Sequence, residues 1–366
     1  MTLELTNFKC FLSKEVNFKN LTILCGNNSS GKSSVIQSLL FLRYSLEEIR
    51  NNNSIIPLNG PFNIYLGTTD GLINHKSDSD QIIIKLIENT KSITANYQLN
   101  LYNSDLNVNL KSLQENEKCI LGEDKFYYLN AERIGPRIVN NLKTLKYNHV
   151  GWQGEFTAQI LSLENGYFKI DEKRLFDKET PTYIKDQVNL WLSYITGGVK
   201  VKANIDPKTL SSQIQLANDI STDFRTATNL GFGVSYVLPI IVNGLICEEN
   251  SIFIVENPEA HLHPSAQTKI GKFLAMLSSC NIKVIIETHS EHIINAIQVE
   301  IANSQLNIDD VKINFFSQKD NEINISFWRL FRSYLGGYAM MYLFPIIFLS
   351  GEIFRSIVIS KEDRVP

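Results

Sequence analysis

Cysteine is scarce and scattered in this sequence of 366 residues, and no two cysteines have the C-x-x-C spacing. Their odd number and wide separation argue against a zinc site and against a disulfide framework, and they favour a reducing compartment. The N-terminus carries no signal peptide, so we expect a cytoplasmic protein. The five residues are Cys10, Cys25, Cys119, Cys247 and Cys280.

An excess of either charge is also missing. The formal net charge is −3, which gives no overall attraction to nucleic acid, although 35 Lys and Arg residues leave room for a local basic patch. Internal repeats, heptad runs and low-complexity segments are absent, which excludes long coiled-coil arms. With 43% hydrophobic residues the chain can build a sizeable core, and its length predicts two lobes or one domain with an insertion.

What the sequence does contain is a phosphate-binding loop near its N-terminus. Residues 26–34 fit the pattern G-x-x-x-x-G-K-[ST] at every fixed position. The apolar run Leu21–Cys25 predicts a buried strand before the loop, and the apolar spacing after it predicts a helix that ends near Arg50. The predicted loop residues are Gly26, Asn27, Asn28, Ser29, Ser30, Gly31, Lys32, Ser33 and Ser34.

The chemistry of this loop predicts a nucleoside triphosphate as its ligand. Glycines let the backbone wrap a phosphate with its N–H groups turned inward, and the start of the following helix adds the favourable end of its dipole. In this arrangement Lys32 holds the β- and γ-phosphates, and the hydroxyl of Ser33 binds Mg²⁺. We therefore expect ATP and Mg²⁺ as the cofactors.

The rest of the chain predicts short strands first and a βαβ series later. Thr2–Phe8 and residues 16–18 are expected to form a hairpin beside the strand that precedes the loop. From Val199 onwards, strands alternate with helices, which is typical of a mainly parallel sheet. The predicted strands of this series are 213–216, Ile252–Val255, 284–286 and 311–316, and the predicted helices are 233–246, 264–277 and 292–301.

Polar side chains follow two of these predicted strands. The run 251–256 ends in Glu256, and a buried carboxylate at this place can hold the hydrated Mg²⁺. The next strand ends in a Thr-His-Ser corner at 288–290, which suits a residue that senses the γ-phosphate. His261 and His263 lie near the first corner, but two histidines without a third ligand favour a structural role over a metal site.

Together these motifs resemble those of the ABC-class AAA ATPases of the structural-maintenance-of-chromosomes (SMC), RecF and overcoming-lysogenization-defect (OLD) group. Within it, the sequence is most similar to the short stand-alone bacterial ATPases without coiled-coil arms that occur in anti-phage systems such as Septu and certain retrons. The resemblance covers roughly residues 1–326. It rests on Gly-x-Asn-x-x-Gly-Lys-Ser-Ser at 26–34, Glu-Asn-Pro-Glu-Ala-His-Leu-His-Pro at 256–264 and Glu-Thr-His-Ser at 287–290, with supporting blocks at 5–11, 131–137 and 231–239.

The resemblance implies a fold and a set of roles. The fold is an α/β P-loop NTPase with an ABC-type ATPase head, which is a mixed sheet with flanking helices, and an inserted α+β lobe. Glu256 takes the metal-side acidic position, and His289 is similar to the switch histidine at the γ-phosphate. A divergent signature motif that contacts the ATP of a second subunit corresponds to Gly231, Gly233 and Ser235. Two chains would then share two ATP sites, as a homodimer or a higher oligomer.

Two departures from the family pattern affect the expected chemistry. Most of the wider class has Asp then Glu at the end of the acidic strand, whereas this chain has Glu256 then Asn257. An amide cannot accept a proton at neutral pH, so Glu259 and Glu256 are the alternatives for the catalytic base, and hydrolysis is expected to be slow. The segment after His289 is too short for the nuclease domain fused to some relatives, so any nuclease is expected in a partner chain.

The predicted domain organisation has four parts. Residues 1–54 form the N-terminal part of the ATPase head, 55–200 complete the first lobe and add the insertion, and 201–326 form the C-terminal part of the head. Residues 327–366 are a hydrophobic tail with no assignment. From Ser333 to Gly351 no residue is charged, so a membrane-inserted segment, a buried or oligomerising helix and an altered reading frame all stay open.

Two functional interpretations follow. The first is a dimeric ATP-gated switch that binds or senses nucleic acid, with double-stranded DNA as a candidate, and that controls a separate effector, such as a nuclease, in phage defence. Arg133, Arg137, Lys143 and Lys146 are candidates for its DNA-facing surface, although a solvated charged face explains each of them equally well. The alternative is the nucleotide-binding subunit of a membrane-associated transport complex, which only the apolar stretch at 333–351 supports.

Overall fold

The computed structural model describes residues 1–100, 103–123, 125–218, 221–229, 232–319, 322–335, 338–345 and 356–359. The strands are β1 (Thr2–Phe8), β2 (Phe11–Asn17), β3 (Leu21–Gly26), β4 (Ile55–Pro57), β5 (Gln81–Glu88), β6 (Lys91–Gln98), β7 (Asn107–Glu115), β8 (Tyr127–Leu129), β9 (Asn140–Asn141), β10 (Lys200–Asp206), β11 (Ser211–Asn218), β12 (Ser221–Thr226), β13 (Ile252–Glu256), β14 (Lys283–Glu287), β15 (Val311–Lys319), β16 (Glu322–Leu335), β17 (Tyr338–Pro345) and β18 (Ser356–Ile359). The α-helices are α1 (Lys32–Arg50), α2 (Thr69–Leu72), α3 (Thr157–Leu161), α4 (Ile184–Thr196), α5 (Phe232–Ile246), α6 (Pro264–Ser279) and α7 (Glu291–Ala302).

Internal contacts divide the chain into two compact units. The first consists mainly of Met1–Phe126 and Val311–Arg329, and the second mainly of Tyr127–Asp310. The phosphate loop lies in the first unit, and the acidic end of β13 lies in the second. The domain boundaries placed from the sequence after residues 54, 200 and 326 stay predictions.

An antiparallel sheet in the first unit has the strand order β2-β1-β5-β6-β7-β4. Its strands alternate buried apolar and more exposed residues, as in β5, where Ile82, Ile84 and Leu86 are fully buried. The predicted β1–β2 hairpin is confirmed, but its second neighbour is β5 rather than the strand before the phosphate loop. The pattern of one strand shows which face is buried and does not reveal which strand pairs with it.

β3 lies in the same unit, before the phosphate loop, and pairs in parallel with β15. Leu21–Cys25 are all buried, which is why this strand is apolar without alternation. α1 follows the loop and buries Val35, Leu39 and Leu46 along one side. Burial of each such side chain contributes about 1.5–3 kcal/mol, so the packing of β3 and α1 fixes both ends of the loop.

In the second unit, β8, β13 and β14 form a parallel set with β13 in the middle. All four residues Ile252–Val255 are fully buried, as are Val284, Ile285 and Ile286 in β14. α6 and α7 follow β13 and β14 in the chain and pack against each other. Because the strands are parallel, the C-terminal residues of β13 and β14 lie side by side, and this edge carries the acidic residues.

A smaller antiparallel sheet in this unit joins β10, β11 and β12, with β9 paired to the start of β11. It contains the predicted strand 213–216, which is therefore a strand but not a member of the parallel series. The turn at residues 207–210 makes an antiparallel hairpin out of β10 and β11, whereas a parallel pair would need a crossover connection.

The apolar C-terminal stretch is extended where the structure describes it. β16 runs to Leu335 and β17 covers Tyr338–Pro345, so these strands contradict a helix, one of the alternatives for 333–351. Within 333–351, residues 336, 337 and 346–351 lie outside the described residues. None of the helices in the described part of the chain combines the length and the apolar composition that a bilayer crossing requires.

Candidate functional site

The phosphate loop in the first unit is shaped by two glycines. Gly26 has φ +123°, and a Cβ there would lie 2.0 Å from the carbonyl oxygen of Phe316 in β15. Gly31 has φ +95° and caps the start of α1, and a Cβ there would lie 2.7 Å from the ring of Phe11. Side chains are therefore excluded at both positions by conformation and by contact, and the loop keeps its shape because both residues are glycine.

Lys32 and its neighbours complete this loop. The Lys32 ammonium is buried and donates to the carbonyl oxygens of Gly26, at 3.1 Å, and Asn27, at 2.7 Å. Ser30 donates to the carbonyl of Asn27 at 2.6 Å, which closes the turn from inside. The side chains that face solvent are those of Asn27, Asn28, Ser29 and Ser33, and Ser34 is partly exposed. The cation therefore lies across the loop, and the middle of the loop is open to solvent.

The turn between β1 and β2 also contacts the beginning of α1, which the motif did not indicate. The Cys10 thiol lies 3.7 Å from the hydroxyl of Ser34, and the Lys9 ammonium donates to the side-chain oxygen of Gln37 at 2.7 Å. Burial lowers the pKa of Lys9 and raises the pKa of Cys10. The block at 5–11 was the available sequence signal for this contact.

The acidic end of β13 in the second unit has two carboxylates in register. Glu256 of β13 pairs with Glu287 of β14, so the two acidic residues occupy the same row of the sheet. Burial, and next the charge of Glu287, raise the pKa of Glu256 to about 7. Glu256 was predicted as a site residue and Glu287 was not, although Glu287 directly follows the predicted strand 284–286 and directly precedes the Thr-His-Ser corner.

Side chains of β8 and of the residue that follows it hold this carboxylate. The buried Tyr128 hydroxyl donates to Glu256 Oε1 at 2.7 Å, and Asn130 donates to the Tyr128 oxygen at 3.0 Å. Burial and the neighbouring Glu256 raise the pKa of Tyr128 well above its usual value, so the phenol stays protonated and remains a donor. The parallel pairing of β8 with β13 places Tyr128 and Glu256 at the same end of the sheet.

Glu259 links the loop after β13 to the end of β14. Its two oxygens accept hydrogen bonds from the Thr288 hydroxyl and from the backbone N–H of His289, both at 2.8 Å. The His289 side chain itself is exposed. The predicted switch residue and one candidate base are thus tied together, and both carboxylate oxygens of Glu259 are already used as acceptors.

Asn257 occupies the strained corner after Glu256. Its φ of +43° is in the left-handed region, and its backbone N–H donates to the carbonyl of Glu287 at 2.8 Å. The side-chain oxygen of Asn257 is buried and accepts no hydrogen bond from any described residue. Asparagine tolerates this backbone conformation better than most other residues with a side chain, so Asn257 is well suited to this corner.

The predicted signature residues are only partly described. Gly231 lies outside the described residues, whereas Gly233 and Ser235 lie in the first turn of α5 and are partly exposed. A Cβ on Gly233 would lie 2.6 Å from the carbonyl oxygen of His261, so α5 packs closely on the loop after β13. His263 caps α6 by accepting from the backbone N–H of Ser265 at 3.3 Å, a structural role.

One of the four basic residues predicted to face DNA is buried. Arg133 is 4% exposed, and its guanidinium contacts the end of β13. The prediction of a surface role for Arg133 is therefore wrong, because a buried guanidinium cannot reach a phosphate backbone. Arg137, Lys143 and Lys146 are exposed, and Arg137 lines a cleft beside the first turn of α5 together with Ser235.

The two sets of residues fit the cofactors that the motifs imply. The loop offers a side-chain-free backbone turn and a buried ammonium, which suit an anionic phosphate. The end of β13 offers carboxylate oxygens, the donors that Mg²⁺ prefers, and the raised pKa of Glu256 shows a carboxylate that a nearby cation would stabilise in its ionised form. Ser33 in the first unit and Glu256 in the second each offer an oxygen of the type that Mg²⁺ prefers.

Comparison with known proteins places the whole arrangement in a family. A family model described as "AAA domain, putative AbiEii toxin, Type IV TA system" matches residues 21–295, which include both the loop and the acidic strand end. The Old nuclease of Escherichia phage P2 is 22% identical over 354 residues. The match covers 81% of this chain and 58% of that protein, so the chain spans less than two thirds of this curated relative.

Solved structures of SMC heads share the fold. The Smc head bound to the C-terminal winged-helix domain of ScpA has a TM-score of 0.51 at 12% identity, over 88% of this chain and 95% of that one. The Smc head from Pyrococcus furiosus, with an extended coiled coil and the C-terminal domain of ScpA, has the same TM-score and identity, over 88% and 94%. The predicted fold class, a mixed α/β P-loop ATPase similar to an ABC-type head, is confirmed. Since the family model covers most of its length, the chain belongs to the AAA-domain family described as the putative AbiEii toxins of Type IV TA systems.

Proposed function

We propose that this chain binds and hydrolyses ATP as a dimeric, ATP-gated switch that controls a separate effector, such as a nuclease, in anti-phage defence. Family membership supports the nucleotide-binding part. The observation that carries the proposal is the phosphate loop, in which Gly26 and Gly31 have positive φ and no room for a side chain. Such a loop is shaped before any ligand binds, because packing of β3 and α1 holds both of its ends.

Lys32, Ser33 and Glu256 have separate proposed roles. Lys32 exchanges its two carbonyl contacts for the β- and γ-phosphate oxygens, which are stronger acceptors for an ammonium. Ser33 and Glu256 are the proposed Mg²⁺ ligands, through a hydroxyl and a carboxylate oxygen. The metal, when bound, neutralises charge that develops on the phosphates during hydrolysis.

Slow hydrolysis is part of the proposal. Asn257 follows Glu256 and cannot accept a proton, and both oxygens of Glu259 already accept hydrogen bonds from Thr288 and His289. Glu256, which Tyr128 holds in place, is then the remaining proposed base or water-orienting group. A turnover rate in the range of about 1–100 s⁻¹ would contradict this part.

The proposed switch uses the connection between Glu259 and His289. A ligand that moves His289 also moves the N–H group that donates to Glu259, and hence the loop after β13. Gly231, Gly233 and Ser235 are proposed to contact the ATP of a second copy. The resemblance to SMC heads and the partial exposure of Gly233 and Ser235 support this role.

The proposal also includes an effector protein and a nucleic-acid partner. The Old nuclease of phage P2 is named as a nuclease, and this relative supports a nuclease as the class of effector. Double-stranded DNA is proposed to contact the exposed Arg137, Lys143 and Lys146. The description of the family as putative toxins of Type IV TA systems supports a role in defence.

ATP turnover by the purified chain, with and without double-stranded DNA, tests the proposal. Lys32→Ala and Glu256→Gln are expected to abolish turnover, whereas Lys19→Ala, which changes an exposed lysine of the same unit, is the matched control. The mass in solution is measured with a non-hydrolysable ATP analogue, which should produce dimers.

Three results separate the parts of this proposal. Turnover that DNA stimulates and that both variants lose supports a nucleic-acid-coupled switch. Tight ATP binding without turnover supports a regulatory subunit locked by nucleotide and contradicts the enzymatic part. Absence of ATP binding by the unmodified chain contradicts the whole proposal.

A further inference from the structure

Arg133 is a buried cation that the proposed mechanism does not yet use. It is 4% exposed, and its guanidinium donates to the backbone carbonyls of Glu256 and Asn257, the latter at 3.2 Å and 3.3 Å from its two terminal nitrogens. Burial lowers the pKa of Arg133 to about 10, although Glu256 and Glu259 act in the opposite direction. Burying this charge is costly, and an apolar side chain could fill the space without that cost.

The two carbonyls belong to the corner that carries the candidate acidic residues. Asn257 is in the left-handed region, and its N–H donates to Glu287 on one side while its carbonyl faces Arg133 on the other. The same carbonyl accepts from the N–H of Ala260 at 3.0 Å, inside the turn that leads to Glu259. Arg133 therefore holds a strained corner from which the directions of Glu256 and Glu259 are set.

The other side of the guanidinium reaches α5. It lies over the ring of Tyr236 at 5.7 Å, and this ring also packs edge-on against His261 at 4.6 Å. Gly233, one turn earlier in α5, lies directly against the carbonyl of His261. The first turns of α5, the loop after β13 and Arg133 thus form one packed cluster, all within the second unit.

We propose that Arg133 is a positioning residue, which fixes the corner at Glu256 and Asn257 and couples it to the first turn of α5. This inference rests on the proposed ATPase function, since it assigns how α5 influences the acidic residues. The planar guanidinium spans two carbonyls and a ring face at once, which a lysine ammonium cannot do. A shift of α5 would then change the orientation of Glu256 through Tyr236 and Arg133.

The chain contains a close control for this residue. Arg174 in the same unit is 6% exposed and likewise donates to two backbone carbonyls, those of Leu245, at 2.7 Å, and Cys247. These carbonyls lie at and just after the C-terminal end of α5, far along the helix from Gly233. Arg174→Met therefore removes the same type of contact as Arg133→Met without touching the corner at Asn257.

The experiment compares both methionine variants with Arg133→Lys and Tyr236→Leu in the full chain. We expect Arg133→Met to lower kcat roughly 10- to 100-fold, as misplacement of catalytic groups does, with ATP affinity changed less than about twofold. Arg133→Lys and Tyr236→Leu should lower kcat by less, and Arg174→Met should leave the kcat of the folded protein unchanged. A loss of ATP affinity with kcat preserved, or equal losses in Arg133→Met and Arg174→Met, would overturn the proposal.

Amide hydrogen exchange without nucleotide gives a second readout. In Arg133→Met, exchange at Asn257, Ala260 and Leu262 should become about tenfold faster, because local opening of the corner costs less. Arg174→Met should leave these amides unchanged. If Arg133→Met fails to fold, Arg133→Lys and Tyr236→Leu still decide the result. Absence of turnover by the unmodified chain contradicts the enzymatic part of the proposed function, whereas unchanged exchange in the Arg133 variants separately refutes the positioning role.

Discussion

The phosphate loop and the acidic end of β13 are held in shape by different means. In the first unit, backbone geometry fixes the loop: Gly26 and Gly31 occupy conformations and spaces that exclude side chains. In the second unit, side chains fix the carboxylate: Tyr128 donates to Glu256, and Arg133 holds the corner that follows it. The shape of the phosphate loop therefore depends on two glycines, whereas the position of Glu256 depends on the side chains of Tyr128 and Arg133.

This difference predicts different sensitivities. A loop made from backbone responds to steric changes and hardly to pH, whereas a cluster of buried titratable groups responds to protonation. Glu256 has a raised pKa, and Tyr128 has one too. Changes of charge in the second unit should therefore alter stability as well as activity, and removal of the loop cation should alter mainly ligand binding.

The largest expected effect is that of Lys32→Ala on ATP affinity. The variant should bind a fluorescent ATP analogue about 100-fold more weakly, because charge-assisted hydrogen bonds worth roughly 3 kcal/mol are lost. The stability of the ligand-free variant should change less than ATP affinity, because removal of the buried ammonium also removes the cost of its desolvation. If Lys32→Ala binds the analogue with an affinity within threefold of that of Lys19→Ala, the loop is not the ATP-binding site.

The next effect concerns the stability of Glu256→Gln in metal-free protein. The pKa of Glu256 in the folded chain is about 7, above its ordinary value of 4.5, so ionisation of Glu256 destabilises the fold as pH rises between these values. The Gln variant lacks this penalty and still accepts from Tyr128, so it should be more stable by about 2 kcal/mol at pH 8 and show no such gain at pH 4.5. Urea unfolding at both pH values measures the difference. A gain that is equal at both would show that protonation of Glu256 is not its cause.

A smaller change is expected when the missing carboxylate is restored. Asn257→Glu should raise ATP turnover about tenfold, since a general base at this position can deprotonate water. The left-handed backbone at Asn257 should cost the variant about 1 kcal/mol of stability. Asn257→Gln has the same length and the same backbone cost without the carboxylate, so equal turnover in both variants would show that Asn257 does not limit hydrolysis.

The smallest predicted effect is a pH-dependent change in stability caused by His149, another buried titratable residue of the second unit. Its ring stacks on Trp152 at 5.0 Å, and its Nδ1 accepts from the N–H of Gly151, so the neutral form is held in the fold. Burial lowers the pKa of His149 from 6.5 to about 4, and stability is therefore lost as pH falls through this range. We expect a loss of about 1 kcal/mol, reduced by partial exposure, which His149→Phe should not show. Parallel pH profiles of the two proteins would contradict this assignment.

Much of the framework could be predicted from local pattern. The helix after the phosphate loop ends at Arg50 as expected, and β13 and β14 begin and end within one residue of their predicted bounds. Short apolar runs such as those of β13 and β14 are typical of buried parallel strands. The glycine pattern of the loop follows from the positive φ values of its own backbone. These elements can be predicted from nearby residues because the elements packed against them need only present an apolar surface.

The errors arose where a residue's role depends on a distant partner. Arg133 follows a strand in a polar block and was expected at the surface, but the carbonyls of β13 and the ring of Tyr236 enclose it. Glu287 was passed over because nothing along the chain shows that it stands in register with Glu256. The hairpin of β1 and β2 was predicted, while its pairing with β5 was not.

The sequence by itself determined the phosphate loop, the order of strands and helices around it, and the acidic residue at the end of β13, because each depends on residue types a few positions apart. Only the tertiary structure decided that Tyr128, Arg133 and Glu287 surround Glu256, since strand register and burial bring together residues far apart in the chain. The physical reason is that the shape of a backbone turn is set locally, whereas the charge state of a buried carboxylate is set by everything packed against it.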